Sequence, residues 1–376
     1  MPVYLDHNAT TPLSPQVLEV MMPYMTGIYG NPSSVHRYGR LTRDALEQAR
    51  AQVASLVGAQ PKEVIFTSGG TEANNLAIRG SLANLAKSRF AISEIEHASL
   101  MSPSKLMTEH RWQLDMIPVN SQGVVTGDAL QGAITDSTKL ISVMAANNET
   151  GVLQDLSTLV DIAKRTKSNV LFHSDACQIA GKMPIDFAGL KLDLMSLSSH
   201  KLYGPLGAGA LVVGSHVDMA PLIRGGGQEK SLRSGTENLL SLVGFGAAAE
   251  LAANEMQQRK LMVLELQTQL IEQLKALQGV VLFSQDAPRL PNTVMFALNG
   301  IDGEALLMQL DRKGFAVSSG SACESTSTDP SHVLLAMSVK PEIARGAIRV
   351  SFGEQNTNSD VFQLIEALTD IRQQFN

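Results

Sequence analysis

The sequence predicts an α/β protein: a large domain on a mostly parallel sheet, followed by a smaller α+β domain. Three observations carry this prediction. The chain has 376 residues, more than one typical domain needs and enough for about two. Short apolar runs alternate with helical segments through the first two thirds, as expected of parallel strands covered on both faces. After Gly244 the texture changes to long amphipathic helices with a few short strands.

Taken in order, Ser14-Pro15 opens a helix, with Ser as N-cap and Pro at the first helical position. Leu41 to Val57 has helical periodicity and is closed by Gly58. Val64-Ile65-Phe66-Thr67 is a short strand, and Gly69-Gly70-Thr71-Glu72 leads from it into a helix from Ala73. Further strands are expected at 90–95, 114–119, 140–145, 170–173, 192–197 and 208–213. The second unit should hold one or two long helices over 247–277, strands at 280–283, 293–298, 316–318 and 347–352, and helices at 303–312 and 359–375. The boundary is placed near residue 255. The large domain then takes 13–255, and the small one takes 1–12 with 256–376.

Composition narrows the function. Apolar residues make up 44% and charged residues 18%, which suits a large core. Net charge is −6 and no Lys/Arg run appears, so nucleic acid is not an expected partner. No apolar stretch is long enough to span a bilayer, and the N-terminus lacks the basic-then-apolar pattern of a signal peptide. Two cysteines are too few for a disulfide framework, which suits a reducing cytoplasm.

The richest stretch is Ser198-Ser199-His200-Lys201, between an apolar strand and a turn. Partial desolvation and a neighbouring imidazole both lower a lysine's pKa, and such a lysine forms Schiff bases with carbonyl cofactors. By itself it also fits a lysine that ends a strand and snorkels to water. Asp175, in Ser174-Asp175-Ala176-Cys177-Gln178, follows another strand, where open α/β folds bind ligands. Alone it reads as a cap; beside a Schiff-base lysine it reads as the partner of a pyridine nitrogen, with Gln178 reaching the ring's phenolic oxygen. Gly69-Gly70-Thr71 offers backbone N–H groups and a hydroxyl to a phosphate, although a plain turn looks the same. Its spacing matches neither the dinucleotide nor the P-loop pattern. His97 ends a strand and suits either ring stacking with proton movement or simple capping. Asn148 lies in a strand-end turn.

Cys323 sits in Ser318-Ser319-Gly320-Ser321-Ala322-Cys323-Glu324-Ser325, a small and polar setting that suits an exposed, mobile nucleophile. Cys177, between strand and helix, reads as packing. Arg349 is the one charge in Ile348-Arg349-Val350-Ser351-Phe352; a buried guanidinium needs an anion, either a substrate carboxylate or a protein carboxylate.

Together these pieces resemble the cysteine desulfurases of the NifS/IscS type, pyridoxal-phosphate enzymes of aminotransferase class V. The resemblance runs from Tyr4-Leu5-Asp6-His7-Asn8 through Gly69-Gly70-Thr71-Glu72-Ala73-Asn74-Asn75 and Asn147-Asn148-Glu149-Thr150-Gly151. It continues with Ser198-Ser199-His200-Lys201, Arg233-Ser234-Gly235-Thr236-Glu237-Asn238, Ser321-Ala322-Cys323 and Ile348-Arg349. It implies the fold-type-I aminotransferase fold and conversion of L-cysteine to L-alanine, with the sulfur held as a persulfide on Cys323. It implies that Lys201 carries pyridoxal 5'-phosphate, that Asp175 and Gln178 hold the ring, and that His97 stacks on it. Gly70, Thr71, Ser198 and His200 would bind the phosphate, joined by Thr236 of a neighbouring subunit in a homodimer. Asn148 and Arg349 would hold the substrate carboxylate, and His97 is the candidate acceptor for the Cys323 proton. The sulfur would pass to an acceptor protein, such as an iron–sulfur scaffold. Relatives that serve such a scaffold carry a longer tail than the stretch from Arg349 to Asn376, so a different docking mode or partner is expected. Selenocysteine lyase or another class V lyase would use the same lysine, aspartate and arginine; a non-catalytic binding subunit is the rival from a different class.

Overall fold

The structure, a computed structural model, describes residues 2–319 and 330–374. Its centre is a seven-stranded sheet in the order Val64–Thr67, Gly209–Val213, Leu194–Ser198, Leu171–Asp175, Thr138–Ser142, Arg89–Ser93, Gln113–Ile117. Six of these strands point the same way, five of them as direct parallel neighbours. The sheet is mostly parallel, as expected, with one exception: Gly209–Val213 is antiparallel to both neighbours. The reason is the connection: 199–208 is too short for a crossover, so the chain must turn back beside the strand it has just left.

Both faces of the sheet are buried. Phe66, Ile141, Phe172 and Met195 face one core; Ile65, Ile92, Leu140 and Leu194 face another. Side chains alternate across a strand, so neighbours in sequence serve opposite cores. The helix Arg37–Leu56 lies on the first face, against the long helix Leu239–Ala276.

That long helix is single and starts earlier than the sequence pattern suggests. Asn238 caps it, its side chain accepting from the Ser241 N–H. Gly244 and Gly246 look like breaks in the sequence, but they permit close packing. A Cβ on Gly246 would lie 2.5 Å from Ala49 Cα, and one on Gly244 would lie 2.6 Å from Met21 Sδ. The helix packs on the first core as far as Met256 and on a second core from Met262 onward.

The second core is closed by a four-stranded antiparallel sheet in the order Ser318–Ser319, Ala347–Ser351, Thr293–Leu298, Val280–Leu282. Helices Gly303–Arg312 and Asn358–Gln374 cover it. The N-terminal strand Val3–Tyr4 pairs with Phe315–Ala316, so Leu5 joins this core. The segment 6–11 is thereby laid along the junction of the two cores, where it meets Lys201, Gln178 and Arg349. No helix of the described residues is long and apolar enough to cross a membrane.

Candidate active site

The parallel strands all end on one edge of the large sheet, and their C-terminal turns supply the site. A cavity of about 430 Å³ opens there, lined by Gly70, Thr71, His97, Asn148, Asp175, Gln178, Ser198, His200, Lys201 and Arg349. That size falls within the range usual for small-molecule sites. Ten residues picked out from sequence thus converge on one cavity. Thr236 does not: it is exposed in the turn before the long helix and lines no part of this cavity. Cys323 lies outside the described residues, although Ser318, shortly before it in sequence, lines the cavity.

Lys201 closes a short helical turn, Ser199–Lys201, at the end of its strand. Its Nζ donates to the carbonyl oxygens of Asn8 and Ala9, the latter at 2.8 Å. His200 Nδ1 lies 3.0 Å from Thr10 Oγ1. Burial, followed by the charge of Lys201, pushes the His200 pKa down to about 4. His200 is therefore neutral near pH 7 and places no positive charge beside Lys201, against the sequence expectation.

Asp175 is buried and held as an acceptor: Oδ1 takes the Cys177 N–H at 2.9 Å, and Oδ2 takes Asn74 Nδ2 at 2.7 Å. Gln178 Nε2 donates to Asn8 O at 2.9 Å, while its Oε1 accepts from Lys182 Nζ at 3.0 Å. His97 caps the helix Ala98–Glu109, and its Nδ1 accepts from the Ser99 N–H at 3.1 Å. The capping role read from sequence is thus real, and the same residue also lines the cavity. Burial is the main cause holding the His97 pKa below its usual value.

Cys177 packs, as its place in the sequence suggests, and does so against the cavity. Its thiol lies in the cavity wall, and burial, then the Asp175 charge, raise its pKa well above the ordinary thiol value. A thiol of that kind stays protonated and is no nucleophile. Ser198 Oγ is buried without a hydrogen-bond partner among the described residues, though Ser198 lines the cavity. Buried hydroxyls are normally paired, so this one points to a missing acceptor.

Arg349 reaches in from the small sheet. Its Nη2 donates to Asp6 Oδ1 at 2.6 Å and its Nη1 to Asn148 O at 2.9 Å, while Nε is buried without a partner among the described residues. The protein carboxylate and the cavity are therefore both within its reach, since a guanidinium carries five N–H donors.

Sequence reasoning missed Asn8, Asn74, Ser99 and Lys182. Asn8 receives Lys182 Nζ at 2.9 Å on its Oδ1. Burial, then the charges of Lys201 and Arg349, hold the Lys182 ammonium well below its ordinary pKa. Nothing in the sequence distinguishes Lys182 from a surface lysine, because its burial comes from segments remote in the chain.

Lys201, the buried Asp175 and His97, gathered on one cavity at the strand ends of this fold, point to a class of enzyme. The family model described as aminotransferase class-V matches residues 3–364, and the chain belongs to that family. Among curated relatives, the protein named cysteine desulfurase IscS from Methanosarcina thermophila is 42% identical, over 99% of this chain and 92% of that protein. Among solved structures, one titled NifS-like protein superposes with a TM-score of 0.93 at 34% identity, covering 99% of this chain and all 100% of the other. Another, titled SspA in complex with cysteine, gives a TM-score of 0.82 at 30% identity, over 94% of this chain and 100% of that one.

Proposed function

We propose that this chain is a pyridoxal-phosphate-dependent cysteine desulfurase that converts L-cysteine to L-alanine and keeps the sulfur on Cys323. The observation that carries the reading is the convergence of Lys201, Asp175, Gln178 and His97 with Arg349 on one cavity. The likeness to a protein named cysteine desulfurase, and to one solved in complex with cysteine, supports it.

The residues fit the cofactor. Ser198 Oγ lacks a partner among the described residues and suits a phosphate oxygen, with Gly70, Thr71 and His200 lining the same cavity. Gly70 leaves the floor open, since a Cβ there would lie 2.7 Å from Cys177 Sγ. Asp175 would hold the ring nitrogen protonated, Gln178 would donate to the phenolic oxygen, and His97 would cover the ring. When bound, pyridoxal phosphate supplies an electron sink for chemistry at the substrate's α- and β-carbons.

The chain's own groups do the rest. Lys201 Nζ would hold the cofactor and would move the substrate's α-proton. Arg349 and Asn148 grip the substrate carboxylate. Arg349 is already oriented by Asp6, so little side-chain freedom is lost on binding. Cys323 attacks as thiolate: a sulfur–sulfur bond forms, the substrate's carbon–sulfur bond breaks, and alanine leaves. The persulfide then goes to an acceptor protein, of which an iron–sulfur scaffold is one class.

We propose a homodimer in which Thr236 serves the neighbour's phosphate site. Its exposure away from its own cavity supports this, as do the exposed Leu18, Met22, Met25, Tyr29, Val35 and Tyr38, clustered in one stretch of chain. In this reading 13–255 is the cofactor domain, and 1–12 with 256–376 carries Arg349 and Cys323.

The test is direct. Purified protein with pyridoxal phosphate should turn yellow and release alanine and sulfide from L-cysteine in the presence of a reductant. Lys201→Ala should lose both properties. Cys323→Ala should keep the colour and lose turnover; full-rate alanine and sulfide from Cys323→Ala would overturn the persulfide step.

A further inference from the structure

Beneath His97 the side chains form a hydrogen-bond chain with a definite direction. It starts at Asp175, whose Oδ1 takes the Cys177 N–H and whose Oδ2 faces Asn74 Nδ2 at 2.7 Å. A carboxylate only accepts, so Asn74 must present its NH₂ group there and not its oxygen. The buried Asn74 Oδ1 is left without a partner among the described residues, a cost tolerated because the flipped amide would set two acceptors against each other.

The same Nδ2 donates its second proton to Ser99 Oγ at 2.9 Å. Ser99 Oγ accepts on that side, and because the Ser99 backbone N–H already requires a lone pair on His97 Nδ1, the hydroxyl, 2.8 Å away, donates its own proton there. The Ser99 backbone N–H, which can only donate, reaches the same Nδ1 at 3.1 Å. Two donors aimed at one ring nitrogen require a lone pair there. A neutral imidazole carries one proton, so it sits on Nε2. Burial, which holds His97 below its ordinary pKa, favours that neutral ring. The charged or titratable groups around it are Asp175, Lys201, His332 and Arg349. His332 Nε2 is itself occupied by the Glu96 carbonyl at 3.0 Å.

We propose that Asn74 and Ser99 are positioning residues that fix neutral His97 as the tautomer protonated on Nε2, so that His97 offers a hydrogen-bond donor to the cavity. This rests on the desulfurase reading for its consequence, not for the tautomer. The consequence is that His97 does not take the proton of Cys323 or of the substrate thiol. Its Nε2–H instead stabilises a negatively charged or acceptor atom brought over the ring. The base for the thiol must be another group.

The test uses full-length, cofactor-loaded protein labelled with ¹⁵N-histidine, with His97 assigned by its loss in His97→Gln. The expected result is a protonated Nε2 and an unprotonated Nδ1. Asn74→Ala and Ser99→Ala each loosen the chain and should raise the Nδ1-protonated fraction about fivefold, the effect of one hydrogen bond. Ser99→Thr keeps the hydroxyl and should keep the wild-type ratio. A wild-type ring protonated on Nδ1, or a ratio unmoved in both alanine variants, overturns the proposal. If the alanine variants do not fold, the wild-type spectrum and Ser99→Thr still decide. Failure of the wild type to form alanine from L-cysteine would defeat the preceding reading and leave the tautomer assignment standing.

Discussion

Gly70→Ala is the smallest change that should empty the site. Gly70 opens the helix Gly70–Asn75 with an ordinary negative φ, so alanine meets no backbone strain. Helix propensity would even favour alanine, by up to about 1 kcal/mol. The opposing effect is steric. The new Cβ would lie 2.7 Å from Cys177 Sγ, closer than such atoms approach. That sulfur is buried, and the Cys177 N–H is bonded to Asp175, so the residue cannot retreat without disturbing the carboxylate. Overpacking of this kind costs about 1–3 kcal/mol. Because the strain falls on the cavity floor and on Asp175, most of it should appear in cofactor binding, as a roughly 5–150-fold rise in the pyridoxal-phosphate Kd. The assay is titration of the cofactor-free protein, followed by absorbance. Removing the sulfur should restore binding: in Gly70→Ala/Cys177→Ala the next neighbour is Ser198 Cβ at 3.5 Å, an ordinary contact. The two changes should therefore be strongly non-additive. If Gly70→Ala binds the cofactor as tightly as the wild type, or if the double variant binds no better than Gly70→Ala, the steric reasoning is wrong.

Three further outcomes are expected. Arg50 makes two hydrogen bonds to the buried Glu229, at 2.7 and 2.8 Å, and Glu229 also accepts the Phe66 N–H. Arg50→Met strands that carboxylate and should cost about 3–5 kcal/mol in urea unfolding, with Arg50→Met/Glu229→Gln recovering part of it. Since Glu229, Lys230 and Ser231 all have positive φ, the turn leading to Thr236 depends on this anchor, and cofactor retention in the proposed dimer should weaken as well. Burial raises the Glu96 pKa from 4.5 to about 8, so the folded protein keeps a proton that the unfolded chain loses. Its contribution is fully present below pH 4.5 and lost as pH rises toward 8. Glu96→Gln keeps an acceptor for Ser93 Oγ and the Met144 N–H, so it should match wild-type stability near pH 5 and exceed it increasingly up to pH 8; parallel urea curves across that range would refute this. Arg349→Lys keeps the charge but loses the two-pronged geometry, and should lower kcat/KM for L-cysteine about 10–150-fold, mainly through KM, with cofactor binding intact.

Most of the candidate site was legible because its residues sit at strand ends, where short motifs mark both the element and its edge. Lys201, Asp175, His97 and Gly70 each follow an apolar run, and that position alone sends them to one rim of the sheet. Arg349 stood out as one charge in an apolar strand, but both of its proposed partners turned out to be in reach: Asp6 holds it, and it still faces the cavity. Gly244 and Gly246 misled, because a glycine that breaks a helix and a glycine that lets two helices touch look alike in one dimension. The reversed strand Gly209–Val213 was hidden for a similar reason: a buried strand has the same apolar pattern in either direction.

The sequence by itself determined the order of elements, the chemistry available at each strand end and the resemblance that ties Lys201 to Cys323. Those are local properties, written in neighbouring residues. Only the tertiary structure decided how the groups are oriented and charged. The neutral state of His200, the inert thiol of Cys177, the depressed ammonium of Lys182 and the directed chain from Asp175 through Asn74 and Ser99 to His97 all depend on burial and on partners from distant segments. A pKa or a hydrogen-bond direction is a property of the surroundings, and the surroundings exist only once the chain has folded.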